Sequence, residues 1–420
     1  MFEFMTPTKI IFGAGSLQHS LPLIRQIGYS ILLVSGRNQE RSQPIVQDFQ
    51  KHHKRYQHVA VSSEPNITMI EETASLARRF KADAVVAIGG GSVLDTGKAL
   101  AAIIPNQGSV YDYVEVIGRS VPLKAKPLPF IAIPTTASTG SEVTKNAVLR
   151  SGQDKIKVSL RSPDMMADVA IVDPTLTYGT NLYLSGRGAM DAFSHLMEAY
   201  VCGVPNVLTD MVCEEGLARI THSIIDACVT DEPKARRDLS FAAMLGGLAL
   251  SNAKLGAAHG LASALGGKLD APHSVITARL SPYVMRENIE LARQHQADDI
   301  LQRYYRIAQI LTDRRNVNLE DGVLWVNMIL DRLQLPTLDH FGVCQTSFQD
   351  VVRDALQSNS IKGNPLPLTE ARLMGILNQV CQCGARTEPE KEQTVERNAV
   401  ELIKQTEGQK SGDTQPLERE

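Results

Sequence analysis

Hydrophobic and polar positions follow two different patterns in the two halves of this 420-residue chain. In roughly the first 175 residues, short aliphatic and β-branched runs alternate with stretches of helical spacing. Buried strands are predicted at Tyr29–Ser35, Ala84–Ile88 and Pro129–Ile133, and a helix at Met69–Phe80 with a cap at Asn66 or Thr68. Strands that alternate with helices predict a mainly parallel α/β sheet.

After Asp173 and Pro174 the pattern becomes helical, and strand signals are few. The segment from Ser185 to about Thr230 is rich in Ala, Met and Leu, and further helices are predicted over Leu239–Ala257, Ile289–Thr312, Leu319–Leu333 and Thr369–Val380. We therefore predict an α/β nucleotide-binding domain at residues 1–178 and an all-α domain at residues 179–405. The polar residues 406–420 predict a disordered tail.

Composition narrows the class of protein. A chain that is 43% hydrophobic and 21% charged is typical of a globular protein, and a net charge of -3 gives no strong field for nucleic acid or an anionic membrane. No apolar run approaches the roughly 20 residues that span a bilayer, and the first residues lack a signal-peptide pattern. Six scattered cysteines, including Cys381 and Cys383, are expected to be free thiols in a reducing cytoplasm.

One carboxylate and three histidines have the composition of a divalent metal site. Asp191 and His195 are four positions apart in a predicted helix, which places them on one face. His259 and His273 follow, fourteen positions apart. If the four residues meet, they leave a divalent ion with net positive charge and open positions, and so make it a Lewis acid. Because no thiolate is included, Fe²⁺, Zn²⁺, Mn²⁺ or Ni²⁺ could bind.

Two loops in the first half predict a nucleotide site. Gly89-Gly90-Gly91-Ser92 follows a predicted strand and precedes a helix expected to begin near Val93, so backbone N–H groups and a helix N-terminus are available to phosphate. The loop Pro134–Glu142 follows the next strand with hydroxyls and a glycine. Neither loop is a Gly-x-Gly-x-x-Gly fingerprint or a P-loop.

These segments, in this order, resemble the iron-containing (group III) alcohol dehydrogenase family. The similarity extends from about residue 10 to residue 380 and rests on Gly89–Asp95, Pro134–Thr144, Val172–Thr175, Met190–Tyr200, the segment with His259 and His273, and Ser360–Pro365.

The resemblance implies a nucleotide domain and a helical metal-binding domain in a dehydroquinate synthase-like architecture, with NAD(P) and substrate in the cleft between them. It implies the metal ligands Asp191, His195, His259 and His273. It also implies cofactor contacts from Gly89, Gly90, Gly91, Ser92, Asp95, Thr135, Thr136 and Thr139, with Lys157 as a further contact.

The chain departs from the family's pattern at four places. Ser263 stands where a second histidine, credited with proton relay, is common. Ser274 and Ser138 stand where glycine is commoner. The second strand ends in Gly36-Arg37 instead of the Asp that binds the adenosine ribose. We expect Ser263 to take part in proton relay with ordered water and a ribose hydroxyl of the cofactor. We expect Gly36 and Arg37 to tolerate the 2′-phosphate of NADP.

The implied activity is metal-dependent, NAD(P)-linked alcohol dehydrogenation or aldehyde reduction of a small substrate, with Fe²⁺ or Zn²⁺. A cytoplasmic homo-oligomer, most simply a dimer, is expected, with no nucleic-acid or membrane partner. Two alternatives of the same superfamily are a maleylacetate-reductase-like and a dehydroquinate-synthase-like enzyme. A non-catalytic nucleotide and metal sensor is a further alternative, supported only by Ser263.

Overall fold

A computed structural model describes residues 1–154 and 156–381. Its strands are β1 (Lys9–Phe12), β2 (Ser30–Gly36), β3 (Arg55–Val61), β4 (Ala84–Gly89), β5 (Phe130–Pro134), β6 (Asn146–Ser151), β7 (Ile156–Arg161) and β8 (Val169–Val172). The helices of the first half are α1 (Ser16–Gln26), α2 (Gln43–Lys51), α3 (Ile67–Phe80) and α4 (Gly91–Ile103).

The helices of the second half are α5 (Leu182–Val201), α6 (Val207–Val229), α7 (Pro233–Asn252), α8 (Ala257–Leu265), α9 (His273–Gln294), α10 (Asp298–Thr312), α11 (Leu319–Arg332), α12 (Phe348–Gln357) and α13 (Glu370–Val380). The fold class predicted from the sequence, a parallel α/β half followed by a helical half, is confirmed.

Six parallel strands form the central sheet in the order β1-β8-β5-β4-β2-β3, and β6 and β7 pair as a separate antiparallel hairpin. Both faces of the sheet are covered, which explains the continuous apolar run of β2. Ile31 and Leu33 pack in one core with α1 and α2, whereas Leu32 and Val34 pack in another with α3 and α4. Parallel strands buried on both faces have this composition.

The strand order reverses between β2 and β4. From β2 the chain crosses to β3 on one side, and from β4 it crosses to β5 on the other. The carboxyl ends of these two neighbouring strands, Gly36 and Gly89, therefore border a crevice. Open α/β sheets bind ligands at such a switch point.

Helix α5 forms the centre of the second half. Sixteen of its twenty residues are buried, and it packs against α6, α7 and α9. The Asn181 side chain accepts a hydrogen bond from the N–H of Leu184 and so caps its first turn. Helices α8, α9, α12 and α13 form an adjoining core.

Glycines join the two halves by backbone contact. Gly140, at φ 61°, packs against Gly247 of α7, where a Cβ atom on Gly247 would lie 2.2 Å from the Gly140 carbonyl oxygen. A Cβ on Gly188 of α5 would lie 2.8 Å from the Ala137 oxygen. The loop after β5 is therefore pressed between α5 and α7, which fixes its hydroxyls relative to the histidines.

Several element boundaries differ from the sequence-based expectations. Helix α4 begins at Gly91 instead of near Val93, and α3 begins at Ile67, so Asn66 is its cap. The single helix expected over Ile289–Thr312 is wrong: α9 ends at Gln294, and Gln296 at φ 54° turns the chain into α10. The helix expected over Leu239–Ala257 begins earlier, at Pro233, which suits the first turn, and ends at Asn252.

The expectation of free thiols is wrong for Cys344 and Cys381, which form a disulfide. They are 37 residues apart in sequence, but the packing of α12 against α13 brings their Cα atoms within 5.5 Å. Cys202, Cys213 and Cys228 are free, as expected, and the structure shows that they are buried. Cys383 lies outside the described residues.

In the described ranges, every helix is too short or too polar to cross a bilayer. The domain limits at residues 178 and 405 stay predictions, although the last strand of the sheet ends at Val172 and α5 begins at Leu182. The expected disordered tail, residues 406–420, lies outside the described residues.

Candidate metal and nucleotide site

Asp191 and His195 lie on the same face of α5, as their spacing predicts. Both are buried. The Asp191 carboxylate accepts a hydrogen bond from the Ser138 hydroxyl at 3.0 Å. Ser138 is one of the departures from the family's pattern, and it ties the loop after β5 to the centre of the site.

His259 reaches the same point from the first turn of α8, and Glu198 fixes its orientation. The Glu198 carboxylate lies 2.7 Å from Nδ1 of His259 and accepts hydrogen bonds from the N–H groups of Gly256 and Ala258. One buried carboxylate therefore both caps α8 and holds the imidazole. Because Nδ1–H donates to the carboxylate, Nε2 carries the free lone pair.

Asp191, His195 and His259 fit a divalent metal ion. Their ligand atoms all lie within 4.8 Å of one another, and the rings of His195 and His259 stack at 4.6 Å. Nδ1 of His195 and Nε2 of His259 are buried without a hydrogen-bond partner among the described residues. Buried polar atoms normally have partners, so these two nitrogens are best explained as ligands.

The electrostatics of the cluster keep its imidazoles able to bind metal. Burial lowers the pKa of His195 to about 4, and burial, with the neighbouring His259, lowers the pKa of His273 to about 3. Burial would raise the pKa of Asp191, but the three histidines and the Ser138 hydroxyl hold it below its ordinary value. Neutral imidazoles beside an ionised carboxylate are the protonation states that ligation needs.

His273, the fourth expected ligand, is the first residue of α9 and lies slightly apart. Its ring centre is 5.7 Å from that of His259, and it is outside the compact group of three. It lines the same cleft as the other three residues.

The glycine loop and the histidines open into one cleft of about 710 Å³. Gly90, Gly91 and Ser92 line it at the N-terminus of α4, together with Thr136 and Thr139. A Cβ on Gly91 would meet the Thr139 side chain at 2.9 Å, so glycine is needed for this close approach. Gly90 gives α4 no side-chain cap, which leaves the helix N-terminus available to a phosphate.

Asp95 and Lys98, on the next turns of α4, make hydrogen bonds that hold the segment after β5 against this helix. Asp95 accepts hydrogen bonds from the Ser141 hydroxyl and the Val148 N–H. Lys98, whose side chain is fully buried, donates to the Ser141 and Asn146 carbonyls and to the Thr144 hydroxyl. Burial lowers the pKa of Lys98 to about 8. Removing this ammonium group would leave several buried acceptors without a donor.

The remaining expected cofactor residues are in different environments. Lys157 lines the cleft and pairs with Glu64 at 2.8 Å. Thr135 is buried, and its N–H donates to the carbonyl of Gly89, so it connects the two loops. Gly36 and the exposed Arg37 lie at the end of β2, outside the residues that line the cleft.

Ser263, the expected relay residue, lines the cleft one turn after His259. Its hydroxyl donates to the His259 carbonyl at 2.9 Å, a bond within α8. The hydroxyl can still accept a hydrogen bond, but it must leave this carbonyl before it can donate a proton elsewhere.

Glu198 was missed as a functional residue, although a signal was available. It follows Asp191 by seven positions and His195 by three, so helical periodicity places it on their face. Asn364 in the Ser360–Pro365 segment was also left without a role. Its side-chain oxygen accepts from the Ala257 N–H and completes the cap of α8.

Asp339, Cys344 and Cys381 form the other group in the described ranges with metal-ligand spacing. The two sulfurs are joined in the disulfide, so they do not provide two thiolates. The histidine cluster is therefore the stronger metal candidate.

Comparison with known families gives two adjoining matches. A model described as iron-containing alcohol dehydrogenase matches residues 7–174, and one described as Fe-containing alcohol dehydrogenase family, C-terminal, matches residues 186–381. Together they cover both halves of the chain.

Individual relatives are similar over nearly the whole length. Long-chain-alcohol dehydrogenase 1 of Geobacillus thermodenitrificans is 31% identical over 92% of this chain and 100% of its own length. Alcohol dehydrogenase 4 of Saccharomyces cerevisiae is 28% identical over 90% of this chain and 97% of its own. The crystal structure of an alcohol dehydrogenase from Oenococcus oeni is 27% identical and superposes with a TM-score of 0.81, covering 90% of this chain and 100% of that one.

The Glu198→Gln substitution should weaken divalent metal binding by about 10- to 100-fold. The single oxygen of a glutamine side chain can accept from His259 or from the N–H groups of α8. Its amide nitrogen, which is itself a donor, then faces the remaining donor and cannot accept from it. The dissociation constants for Zn²⁺ of wild type and variant, measured by competition with a chromophoric chelator, check this expectation. Glu214→Gln, which removes a carboxylate that pairs with Arg306 on the surface, is the matched control. Unchanged affinity in a folded Glu198→Gln protein would contradict the assigned role.

Proposed function

The chain belongs to the iron-containing alcohol dehydrogenase family, and we propose here which of its residues carry out the family's reaction. The protein is an oxidoreductase that transfers hydride between a nicotinamide cofactor and an alcohol or aldehyde. The family uses iron and NAD(P). The choice of ion, cofactor and substrate, and the residues that bind them, are the proposal.

We propose that Asp191, His195, His259 and His273 hold the metal ion. The observation that carries this assignment is the pair of buried, unpartnered nitrogens on His195 and His259 beside the Asp191 carboxylate. A divalent ion held there would supply a Lewis acid that polarises a carbonyl and stabilises developing negative charge on oxygen. Nitrogen and oxygen ligands accept Fe²⁺ and Zn²⁺ alike, and Zn²⁺ binds more tightly at equal availability.

The cofactor is proposed to lie across the carboxyl ends of β2 and β4. The N-terminus of α4 would receive its diphosphate, with Gly90, Gly91 and Ser92 in contact and Thr136 and Thr139 opposite. Bound there, NAD(P)H would supply the hydride. Asp95 and Thr135 would hold the two loops in place through their hydrogen bonds. Lys157 would contact the cofactor near its nicotinamide end.

Overall, an aldehyde, NAD(P)H and one proton give an alcohol and NAD(P)⁺. The chain's contribution is to hold the carbonyl carbon against the nicotinamide, to exclude water and to deliver the proton. We propose that Ser263 takes part in that delivery, with ordered water, because its hydroxyl lines the cleft one turn from His259.

An assay of the purified protein with short aldehydes tests the function and the metal site together. Activity with NADH or NADPH should disappear on chelation and return with Fe²⁺ or Zn²⁺. Asp191→Asn should lower kcat/KM by at least about a hundredfold, because the Lewis acid contributes several kcal/mol to the transition state. Metal content, measured on the same samples, should fall in parallel.

The variant Asp339→Asn is the matched control, because it removes a carboxylate from the other candidate metal group and should leave activity unchanged. Tight cofactor binding without turnover of any aldehyde would contradict the proposed function and favour a sensor.

Cofactor choice is proposed to tolerate NADPH, because the end of β2 has Gly36 and Arg37 and lacks a carboxylate that would repel a 2′-phosphate. Arg37→Ala should lower kcat/KM for NADPH by about tenfold or more, the value of a charge-assisted hydrogen bond, and leave NADH unaffected. Arg79→Ala, an exposed arginine on α3, is the control. A wild-type preference for NADH of roughly a hundredfold, about 2.7 kcal/mol, would contradict the proposal.

The relay role of Ser263 predicts a weak pH dependence of kcat, because a hydroxyl passes a proton but does not store one near neutral pH. Ser263→His should introduce a titration near the ordinary histidine pKa of about 6.5. The measurement is the kcat–pH profile of wild type and of Ser263→His between about pH 5 and 9, which includes the range where an imidazole changes charge. Identical profiles would end the relay proposal.

A cytoplasmic location and a homodimer are proposed from the sequence expectations. The disulfide between Cys344 and Cys381 argues against a reducing compartment, where persistent disulfides are rare, so the cytoplasmic location rests on the sequence expectation alone.

A further inference from the structure

Arg187 lies in the wall of the cleft beside the metal cluster. It precedes Asp191 by four positions, so Arg187, Asp191 and His195 form one stripe along α5. Its Nη1 donates to the Ser274 hydroxyl at 3.1 Å, and Ser274 directly follows His273. The guanidinium is therefore held beside the metal cluster by its own helix, α5, and by the hydrogen bond to α9.

The charge of Arg187 has no counter-ion in the described part of the chain. Its Nε is buried and has no hydrogen-bond partner, and its other contact is the Tyr183 ring, 5.7 Å from the guanidinium carbon. Arg236, whose side chain is 3% exposed, by contrast pairs with Asp231 at 2.6 Å. A guanidinium without a carboxylate in a cleft wall is therefore free to take one from a ligand.

Several other charged groups of the cleft are already engaged. Lys157 pairs with Glu64, and Asp95 is bonded to Ser141 and Val148. The Asp191 carboxylate belongs to the histidine cluster. Arg187 has a buried Nε without a partner beside the cluster, and its planar fork matches a carboxylate better than an ammonium group would.

We propose that Arg187 binds a carboxylate carried by the substrate, so that the enzyme's substrate class is short oxo acids with an aldehyde at one end and a carboxylate at the other, and the corresponding hydroxy acids. The proposal rests on the proposed function, because it assumes that the aldehyde reacts beside Asp191. Nη1 of Arg187 lies 3.1 Å from the hydroxyl of Ser274, the residue after His273, so the anchor is next to the cluster and a spacer of a few carbons joins the two ends of the substrate.

The reaction is unchanged by this assignment. The aldehyde carbon gains hydride from NAD(P)H, its oxygen gains a proton, and the cofactor leaves as NAD(P)⁺. The carboxylate neither gains nor loses atoms or electrons and serves only to orient the chain. A remote anchor of this kind raises kcat/KM for substrates that have it and discriminates against those that lack it.

Two aldehydes of matched shape test the proposal. 4-Oxobutanoate carries a carboxylate where 4-methylpentanal carries two methyl groups. With wild type, kcat/KM should favour 4-oxobutanoate, and Arg187→Met should lower the ratio of the two values by about 10- to 100-fold, the worth of a charge-assisted pair. Arg187→Lys keeps the positive charge but loses the planar guanidinium, so its ratio should lie between those of wild type and Arg187→Met.

Arg332→Met, an exposed arginine on α11, is the control and should leave the ratio unchanged. Butanoate provides a second measurement: it should inhibit wild type competitively against 4-methylpentanal and bind more weakly to Arg187→Lys, although the loss should be smaller than with Arg187→Met. The lysine variant guards against misfolding of Arg187→Met.

The outcomes separate the two proposals. Turnover of 4-methylpentanal with no preference for 4-oxobutanoate overturns the role of Arg187 and leaves the dehydrogenase function intact. Equal losses for both aldehydes, together with a raised KM for the cofactor, would assign Arg187 to the cofactor phosphates and also overturn it. No turnover of either aldehyde would contradict the proposed function itself.

Discussion

The hydrogen bonds of the Glu198 carboxylate are the interaction on which the site depends. Glu198 lies on α5, and it accepts from two N–H groups at the start of α8 and from Nδ1 of His259. It is buried, so its ionised form is tolerable only because these donors and the helix N-terminus compensate the lost hydration. The same bonds set the angle between two helices and decide which histidine nitrogen is free. The approach of Asp191 and His195 on α5 to His259 on α8, which the proposed metal site needs, therefore depends on one carboxylate.

The second constraint is the contact between the two halves. Gly140 against Gly247, and Gly188 against the Ala137 carbonyl, allow backbone to meet backbone without side chains between. This close contact brings Ser138 to Asp191 and places Thr139 beside the glycine loop. Hydride transfer needs the nicotinamide and the reacting carbon in contact. A rigid contact between the two halves of the chain helps to maintain that geometry. The cleft, and not either half alone, is the functional unit.

Much of this arrangement could be predicted from the sequence. The buried strands were found because parallel strands covered on both faces are apolar throughout, and the α5 pair was found because helical spacing places Asp191 and His195 together. The predictions that were wrong concern features that depend on contacts between residues far apart in sequence or on side-chain geometry. The break at Gln296 has no Gly or Pro to mark it, and the disulfide partners are 37 residues apart. The bonds of Glu198, Ser263 and Arg187 depend on side-chain directions that no spacing rule supplies.

The central claim is that Asp191, His195, His259 and His273 hold one divalent ion at the wall of the cofactor cleft. The most direct measurement is anomalous diffraction at the metal absorption edge from crystals of the catalytically active, metal-loaded protein. One strong peak enclosed by these four side chains is expected, with the Glu198–His259 hydrogen bond intact. A peak elsewhere, or active crystals without a peak at this position, would contradict it.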